Sequence, residues 1–591
     1  MAQGFWANAD NSGFRTAWLA AVLAGFTAFI VFLLSLAPSI TQGYNTGDSG
    51  ELASTAYTLG ISHPTGSPLY TMLGYLVTHL TTVEPARGLN MLSAVMGGIA
   101  VGGVVYLVCR LAADMWPDVS PMHAATGAGL AGVSLALSTT FWTQAVVTET
   151  RTLAMALDVL VLILLIPRRP GRGRSLCAAL VYGLSLSDHL LSLCMAPAVI
   201  MLLSTWAGAR LIRWLSATGS LLLGLSCYAY LPVRAAMHPA ANWGSPDTMS
   251  RFLWVVTGRE YRYQMLNLSP GDLLSQVGVQ IQSVASHLNP LTVAMSFIGL
   301  AVLTRNRPRF GAALALTIAI NIGVSSEYQA DAAPVYQLLC MLCACIAAGA
   351  GWICLARQAA RLLVSALSSR PHQRAPNRCE LDSSLGVTAL QHSASTNLER
   401  DLIRSGALDG QPGQRAQSPT RAVRATVLVV CLIAGILVER GTALDSHAAV
   451  TSLGGTGVRD FGIGVLEALS PHAIIVGQGD ENSVPLWYAQ RALGIRKDVT
   501  IVANALLTFD WYYQQVRVLP AFDPRHMPAS SASIDDGTDQ TLIQDRTSLL
   551  PKAARPGYKL FSVLPEPLWA GICASRPVGP VYQCVPMAAA P

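Results

Sequence analysis

Ala17-Trp18-Leu19-Ala20-Ala21-Val22-Leu23-Ala24-Gly25-Phe26-Thr27-Ala28-Phe29-Ile30-Val31-Phe32-Leu33-Leu34-Ser35-Leu36-Ala37 is a run of 21 residues without a charge. As a helix rising 1.5 Å per residue it crosses the ~30 Å hydrocarbon core of a bilayer. It exceeds the roughly 7–15 apolar residues of a signal peptide, so it reads as a retained first membrane helix. Runs of spanning length follow at 89–112, 122–140, 142–166, 175–190, 191–206, 213–233, 286–304, 309–325, 334–355 and 424–438, with Asp188 and His189 interrupting the fifth and sixth. The expected fold class is a polytopic α-helical membrane protein with about eleven transmembrane helices.

Composition agrees. Of 591 residues, 52% are hydrophobic and 12% charged, half the ~25% charge of soluble domains. The net charge of +6 is no nucleic-acid footprint, because the excess is arginine in short loops, where it reports orientation. Arg168, Arg169, Arg172 and Arg174 follow the fourth run, Arg210 and Arg213 the sixth, Arg305, Arg307 and Arg309 the eighth, and Arg357 and Arg361 the tenth. All are even-numbered exits, which places the N-terminus in the cytoplasm.

The expected organisation is a membrane domain over 1–364, with outer loops 38–88 and 234–285. A disordered cytoplasmic linker over 365–423 and a last membrane helix over 424–438 follow, then an extracytoplasmic domain over 439–591. In that tail Ala473–Val476 and Val499–Ala503 read as buried strands, and Gly462–Leu469, Ser483–Leu493 and Trp511–Val518 as helices, giving a small α/β unit. Beyond Pro520 the sequence is Pro-, Ser- and Ala-rich and specifies little. Among twelve cysteines no Cys-x-x-Cys pair has a matching second pair, so no zinc site is expected. Cys573 and Cys584 are free to pair if the tail is outside the cytoplasm. No internal repeat is found.

The first outer loop carries the densest polar pattern: Gly43-Tyr44-Asn45-Thr46-Gly47-Asp48-Ser49-Gly50-Glu51-Leu52, then Gly60-Ile61-Ser62-His63-Pro64-Thr65-Gly66-Ser67-Pro68-Leu69-Tyr70. Asp48 and Glu51 share one face at the start of a helix. A capping box would explain two such carboxylates, but not the Gly, Pro and His that follow. Pro68–Leu80 is too polar to span and too apolar for water, and is expected along the interface.

Asp-x-x-Glu after the first membrane helix, then an interfacial helix bearing His-Pro-x-Gly-x-Pro-Leu-Tyr, resembles the GT-C superfamily of glycosyltransferases. The chain is more closely similar to a bacterial family of formerly unknown function that includes a vertebrate transmembrane protein O-mannosyltransferase. Phe141-Trp142-Thr143-Gln144-Ala145 with Glu149, Gly183-Leu184-Ser185-Leu186 with His189, Tyr230-Leu231-Pro232-Val233-Arg234, Asn242-Trp243-Gly244-Ser245-Pro246, and Gly479-Asp480, Trp487-Tyr488, Arg496 and Asp498-Val499 extend the resemblance over most of 40–515. The chain departs from the family at Thr65, where a second proline is usual, at Asp188, where asparagine is common, and at Arg151, where an aromatic is.

The resemblance implies transfer of a sugar, such as the hexose mannose, from a polyprenyl-phosphate carrier to an exported protein or envelope glycan at the outer face of a bacterial inner (plasma) membrane. A carboxylate must take the acceptor proton while phosphate departs on the opposite side. Asp48 is assigned as that base, with Glu51 supporting it. The phosphate needs cationic or hydrogen-bonding partners, and Arg234, His189, His63 and Tyr70 are the candidates. Against these stand an interfacial anchor for Arg234, a histidine satisfied in the bundle for His189, and loop-structural roles for His63 and Tyr70. Trp243, Asn242, Arg262 and Glu149 are assigned to the acceptor or the sugar, although interfacial tryptophans are ordinary. Arg259 and Asp331 lie in neighbouring outer loops. Gly477-Gln478-Gly479-Asp480 is too short a fingerprint for a cofactor, and no Asp-x-Asp is suitably placed, so no metal or cofactor is expected beyond the lipid-linked co-substrate. The rival readings are a secondary transporter of a polar solute and a non-catalytic envelope assembly factor.

Overall fold

The computed structural model describes residues 12–42, 47–265, 268–328, 333–368, 439–529 and 540–563, with isolated positions between 426 and 435. Tyr44, Asn45, Thr46, Asp331, Cys573, Cys584, most of the 424–438 run and the expected linker from 369 onward lie outside the described residues. Met1–Ile353 and Gly435–Pro591 form one compact unit and Cys354–Ala434 a second.

In chain order the helices are α1 (Ser12–Leu34), α2 (Ser49–Thr58), α3 (Pro68–Leu80), α4 (Pro85–Met115), α5 (Pro121–Leu137), α6 (Thr139–Ala145), α7 (Arg151–Leu165) and α8 (Arg172–Leu186). They continue as α9 (Ala196–Ala207), α10 (Leu211–Leu225), α11 (Tyr230–Ala235), α12 (Met249–Val256), α13 (Pro270–Leu288), α14 (Pro290–Asn306), α15 (Pro308–Glu327) and α16 (Leu338–Ser368). Among the described residues five segments can cross a membrane by length and composition: Gly13–Leu34, Pro85–Met115, Leu190–Ala207, Pro308–Glu327 and Pro334–Ser365. The number rises to seven if α5 with α6 and α13 with α14 each count as one bent span. The chain is a multi-pass membrane protein.

Of the eleven expected runs, 424–438 lies largely outside the described residues, and several others are broken locally. Ser138 is extended between α5 and α6, bending the pair by 70°. Asn289 stands before Pro290, a position where proline disfavours helical backbone; α13 and α14 consequently meet at 110°. The 142–166 run breaks after Ala145, leaving α7 with 15 residues. Asp188 and His189 also break the chain, between α8 and the 3-10 turn Leu190–Met195.

Close helix packing rests on glycine. A Cβ at Gly25 would lie 2.7 Å from the Gly98 carbonyl oxygen, and one at Gly102 would lie 2.8 Å from that of Ala21. Helices α1 and α4 therefore approach backbone to backbone, as small residues allow within bilayers.

The tail contributes α17 (Gly457–Ala468), β1 (Ala473–Gly477), α18 (Gly479–Arg491), β2 (Thr500–Ala503), α19 (Asp510–Arg517), α20 (Gln540–Ala553) and β3 (Lys559–Val563). The sheet is parallel with order β2-β1-β3, and register Ile475↔Ile501 and Ile475↔Phe561. Strand β3, in the stretch read as uninformative, supplies the third strand. Every β1 residue is buried, as expected of a central parallel strand.

This sheet packs into the same unit as the loops beside it. Ile61, Leu231, Trp254 and Val255 share one buried cluster with Ile474, Trp487, Phe509 and Leu560. Polar links reinforce the joint. Ile61 N–H donates to the Ala241 carbonyl at 2.7 Å, and Gln515 Nε2 donates to the Asn242 carbonyl at 2.7 Å. Glu84 accepts from Tyr488 at 2.7 Å and pairs with Arg459 at 2.9 Å. Three segments distant in sequence thus pack together through one buried cluster and these polar links.

Candidate active site

Helix α2 presents Asp48 and Glu51 differently. Ser49, not Asp48, ties the helix start to Thr41, at 2.9 Å from both its N–H and its carbonyl. Asp48 makes no side-chain capping bond, and its carboxylate is 43% exposed. Glu51 is buried and turned onto His63: Oε1 accepts the His63 backbone N–H at 2.8 Å, and Oε2 lies 2.5 Å from Nδ1. This geometry replaces the capping box. One carboxylate is open to a substrate, and the other is fixed by the loop it holds.

Burial opposes a charge on His63, but the Glu51, Asp48 and Glu260 carboxylates outweigh it and raise the imidazole to about 10. His63 is therefore a cation at neutral pH. Its ring meets Trp243 edge-on at 6.1 Å, and Trp243 Nε1 donates to Glu260 at 2.9 Å. Burial pushes Glu260 up to about 7. Asp480, in the first turn of α18, is raised to about 6 by burial and by the Asp48 and Glu51 charges.

Arg151 closes the other side. At the start of α7 it pairs with buried Glu149, donates to Gln144 Oε1 at 2.9 Å, and stands 3.9 Å from Asp48. Its guanidinium carbon lies 5.9 Å from the centre of the Tyr336 ring. The residue that breaks the family pattern is thus the counter-ion of two site carboxylates. Tyr70 is fully buried within electrostatic reach of Glu149 and Asp188.

A small cavity of about 30 Å³ lies beside this group, lined by Glu51, Asn242, Trp243, Trp487, Arg491 and Trp511 among others. The indole N–H groups of Trp487 and Trp511, and Asn242 Oδ1, are buried without a partner. Trp243 and Trp511 lie 5.8 Å apart, and Arg491 sits over Trp487 at 4.8 Å.

Three expected ligands are placed otherwise. Arg234 donates through Nε to the Leu59 carbonyl at 2.7 Å and through Nη2 to that of Thr58 at 3.4 Å. Its fork therefore holds the C-terminal carbonyls of α2, a favourable place for a cation, instead of facing a phosphate. His189 Nδ1 accepts from Leu191 N–H at 3.2 Å and caps a 3-10 turn, which leaves Nε2 as the protonated nitrogen of the neutral ring. Arg262 is exposed in the turn Arg259–Gln264 and joins none of the carboxylates.

Sequence reasoning missed Glu260, which lies between Arg259 and Arg262. It also missed Arg151 as a site cation and the tail residues Trp487, Arg491 and Trp511. Among the described residues no group of three or more His, Cys, Asp or Glu is placed to hold a metal.

The described residues have a mostly helical fold. It is similar to that of ArnT from Cupriavidus metallidurans in the apo state, with a TM-score of 0.50, 14% identity, and coverage of 84% of this chain and 91% of that one. Residues 48–208 match the family described as Protein O-mannosyl-transferase TMEM260 N-terminal domain, and 458–549 match TMEM260-associated domain 2. Protein O-mannosyl-transferase TMEM260 of Mus musculus is 25% identical over 547 residues, covering 86% of this chain. Protein O-mannosyl-transferase tmem260 of Dictyostelium discoideum is 34% identical over 82 residues, covering 13% of this chain. The chain spans 66% of the mouse protein's length and 10% of the Dictyostelium protein's. The chain is thus similar to the TMEM260 proteins over both matched segments.

Proposed function

We propose that this chain is a membrane glycosyltransferase that moves a hexose such as mannose from a polyprenyl-phosphate carrier to an exported protein or envelope glycan. The observation that carries the reading is the division of labour in the first loop: Asp48 is open, while Glu51 is locked onto His63. The acceptor hydroxyl oxygen bonds to the anomeric carbon as the carbon–oxygen bond to phosphate breaks. The bonding pair leaves with the phosphate, and the hydroxyl proton passes to Asp48. Protonated His63, together with Arg151, supplies positive charge for the departing phosphate. Trp243 and Trp511 offer aromatic faces for sugar or acceptor. The polyprenyl donor rests on the GT-C resemblance.

The same reading puts the site at the outer face of the inner membrane, with the N-terminus cytoplasmic, the tail outside, and about eleven spans once short and broken helices are counted. No metal or cofactor takes part in the proposed step.

Purified protein given radiolabelled polyprenyl-phosphate sugars and an acceptor tests this. Transfer by wild type and none by Asp48→Asn is expected; equal transfer by both removes Asp48 as base. The transporter reading has one observation in its favour: buried Asp158 on α7 accepts from Ser185 at 2.7 Å and Ser192 at 2.9 Å. Uptake of labelled solute into vesicles would decide for it.

A further inference from the structure

A second groove lies away from the carboxylates, at the far end of the same helices. It has a volume of about 1020 Å³, at the upper end of the ~300–1,000 Å³ usual for small-molecule sites. Its walls come from α1, α4 and α7. Trp18, Val22, Phe26 and Ile99, at 54%, 47%, 60% and 52% exposure, make its apolar surface. Helix α7 runs from Arg151 at the site to Leu164 at the groove, a rise of about 20 Å at 1.5 Å per residue.

Five arginines and one aspartate line the groove's polar end: Arg110, Arg168, Arg169, Arg174, Arg307 and Asp114. They arrive from α4, the α7–α8 loop, α8 and the turn between α14 and α15. A positive-inside bias places arginines in loops on one side of a membrane, but it does not require four segments to converge on one groove. Asp114 is shared, at 2.7 Å from Arg307 and 3.1 Å from Arg168. Arg307 is 6% exposed in its side chain and is also held by the Ile166 carbonyl, so this corner is built in place. Arg110 lies over Phe14, 5.7 Å from the ring centre, and Arg169 is exposed.

We propose that this groove binds one anionic glycerophospholipid of the leaflet opposite the carboxylate site, with its phosphate among the arginines and an acyl chain along α1 and α4. The charge complementarity selects an anionic headgroup, and basic pockets between membrane helices are suited to such lipids. The inference depends on the chain being a multi-pass membrane protein, not on the transferase reading.

Native mass spectrometry of the delipidated full chain, titrated with phosphatidylglycerol, phosphatidylcholine or undecaprenyl phosphate, tests it. Phosphatidylglycerol should bind once per chain, about tenfold more tightly than phosphatidylcholine. The Arg110→Gln/Arg169→Gln double variant should erase that preference. Ile99→Trp, which fills the groove and keeps every arginine, should weaken phosphatidylglycerol binding while the protein elutes as a folded species. Equal binding of the two phospholipids, or unchanged binding in both variants, would overturn the proposal. Undecaprenyl phosphate displacing phosphatidylglycerol at equal concentration would also overturn it, and would make the groove a carrier site.

Discussion

Asp48→Asn and Glu51→Gln are near-isosteric changes three residues apart, and the structure assigns them opposite consequences. Asp48 is 43% exposed and 3.9 Å from its nearest cation. Arg151 is buried but keeps Glu149 as partner, and so long a contact to an exposed carboxylate contributes about 0–1 kcal/mol, so Asp48→Asn should leave the melting temperature nearly unchanged. If Asp48 is the base, transfer should fall by about 10²–10⁴-fold. Glu51 is the buried partner of His63, whose imidazole is raised from 6.5 to about 10. At 1.36 kcal/mol per unit this net shift, left after the opposing effect of burial, corresponds to about 5 kcal/mol. Asp48 and Glu260 share that field and His63 is 24% exposed, so the Glu51 share is about 2–3 kcal/mol, near the range for breaking a buried pair. The sign follows from the raised value: the stabilisation is complete below pH 6.5 and is lost as pH rises through about 10. Melts of purified protein at pH 6, 8 and 10, beside transfer assays, read both quantities. Glu51→Gln should lower the melting temperature at pH 6 and 8 and converge on wild type above pH 10. An unaltered melt for Glu51→Gln at pH 6, or unfolding of Asp48→Asn, would refute the reasoning.

Glu260 has a folded value of about 7 against an ordinary 4.5, so the folded chain retains a proton the unfolded chain releases, and stability falls as pH rises between those values. Glu260→Gln keeps an acceptor for Trp243 and should flatten that slope in pH-dependent melts. Arg234→Gln removes the clamp on the Thr58 and Leu59 carbonyls. It should cost about 1.5–3 kcal/mol in denaturation assays while leaving the apparent KM for the lipid-linked donor within about twofold. Gly299→Ala would place a Cβ 1.7 Å from the Ala347 carbonyl oxygen; the α14–α16 contact cannot accept it, and yield of monodisperse protein should drop sharply while Gly323→Ala, with open space at that position, should not. Arg496 donates to the Leu466, Leu469 and Ser470 carbonyls and pairs with Asp498. Arg496→Gln should therefore raise protease sensitivity of the tail.

The sequence by itself determined the membrane character, a distinct segment at Pro68–Leu80, and strands over Ala473–Val476 and within Val499–Ala503. These are carried by apolar run length, charge spacing and local propensity, which are readable over a few turns of chain. What it could not supply was the pairing. Whether Glu51 caps its own helix or grips His63, whether Arg234 meets a phosphate or the end of α2, and whether Arg151 stands beside Asp48 depend on segments up to 175 residues apart. Strand β3 likewise gains its identity only by lying beside β1. Apolar burial is nearly indifferent to the identity of the neighbour and leaves a periodic trace in sequence, whereas a buried charge is stable only against a specific partner in a specific geometry. That partner is chosen by the tertiary fold.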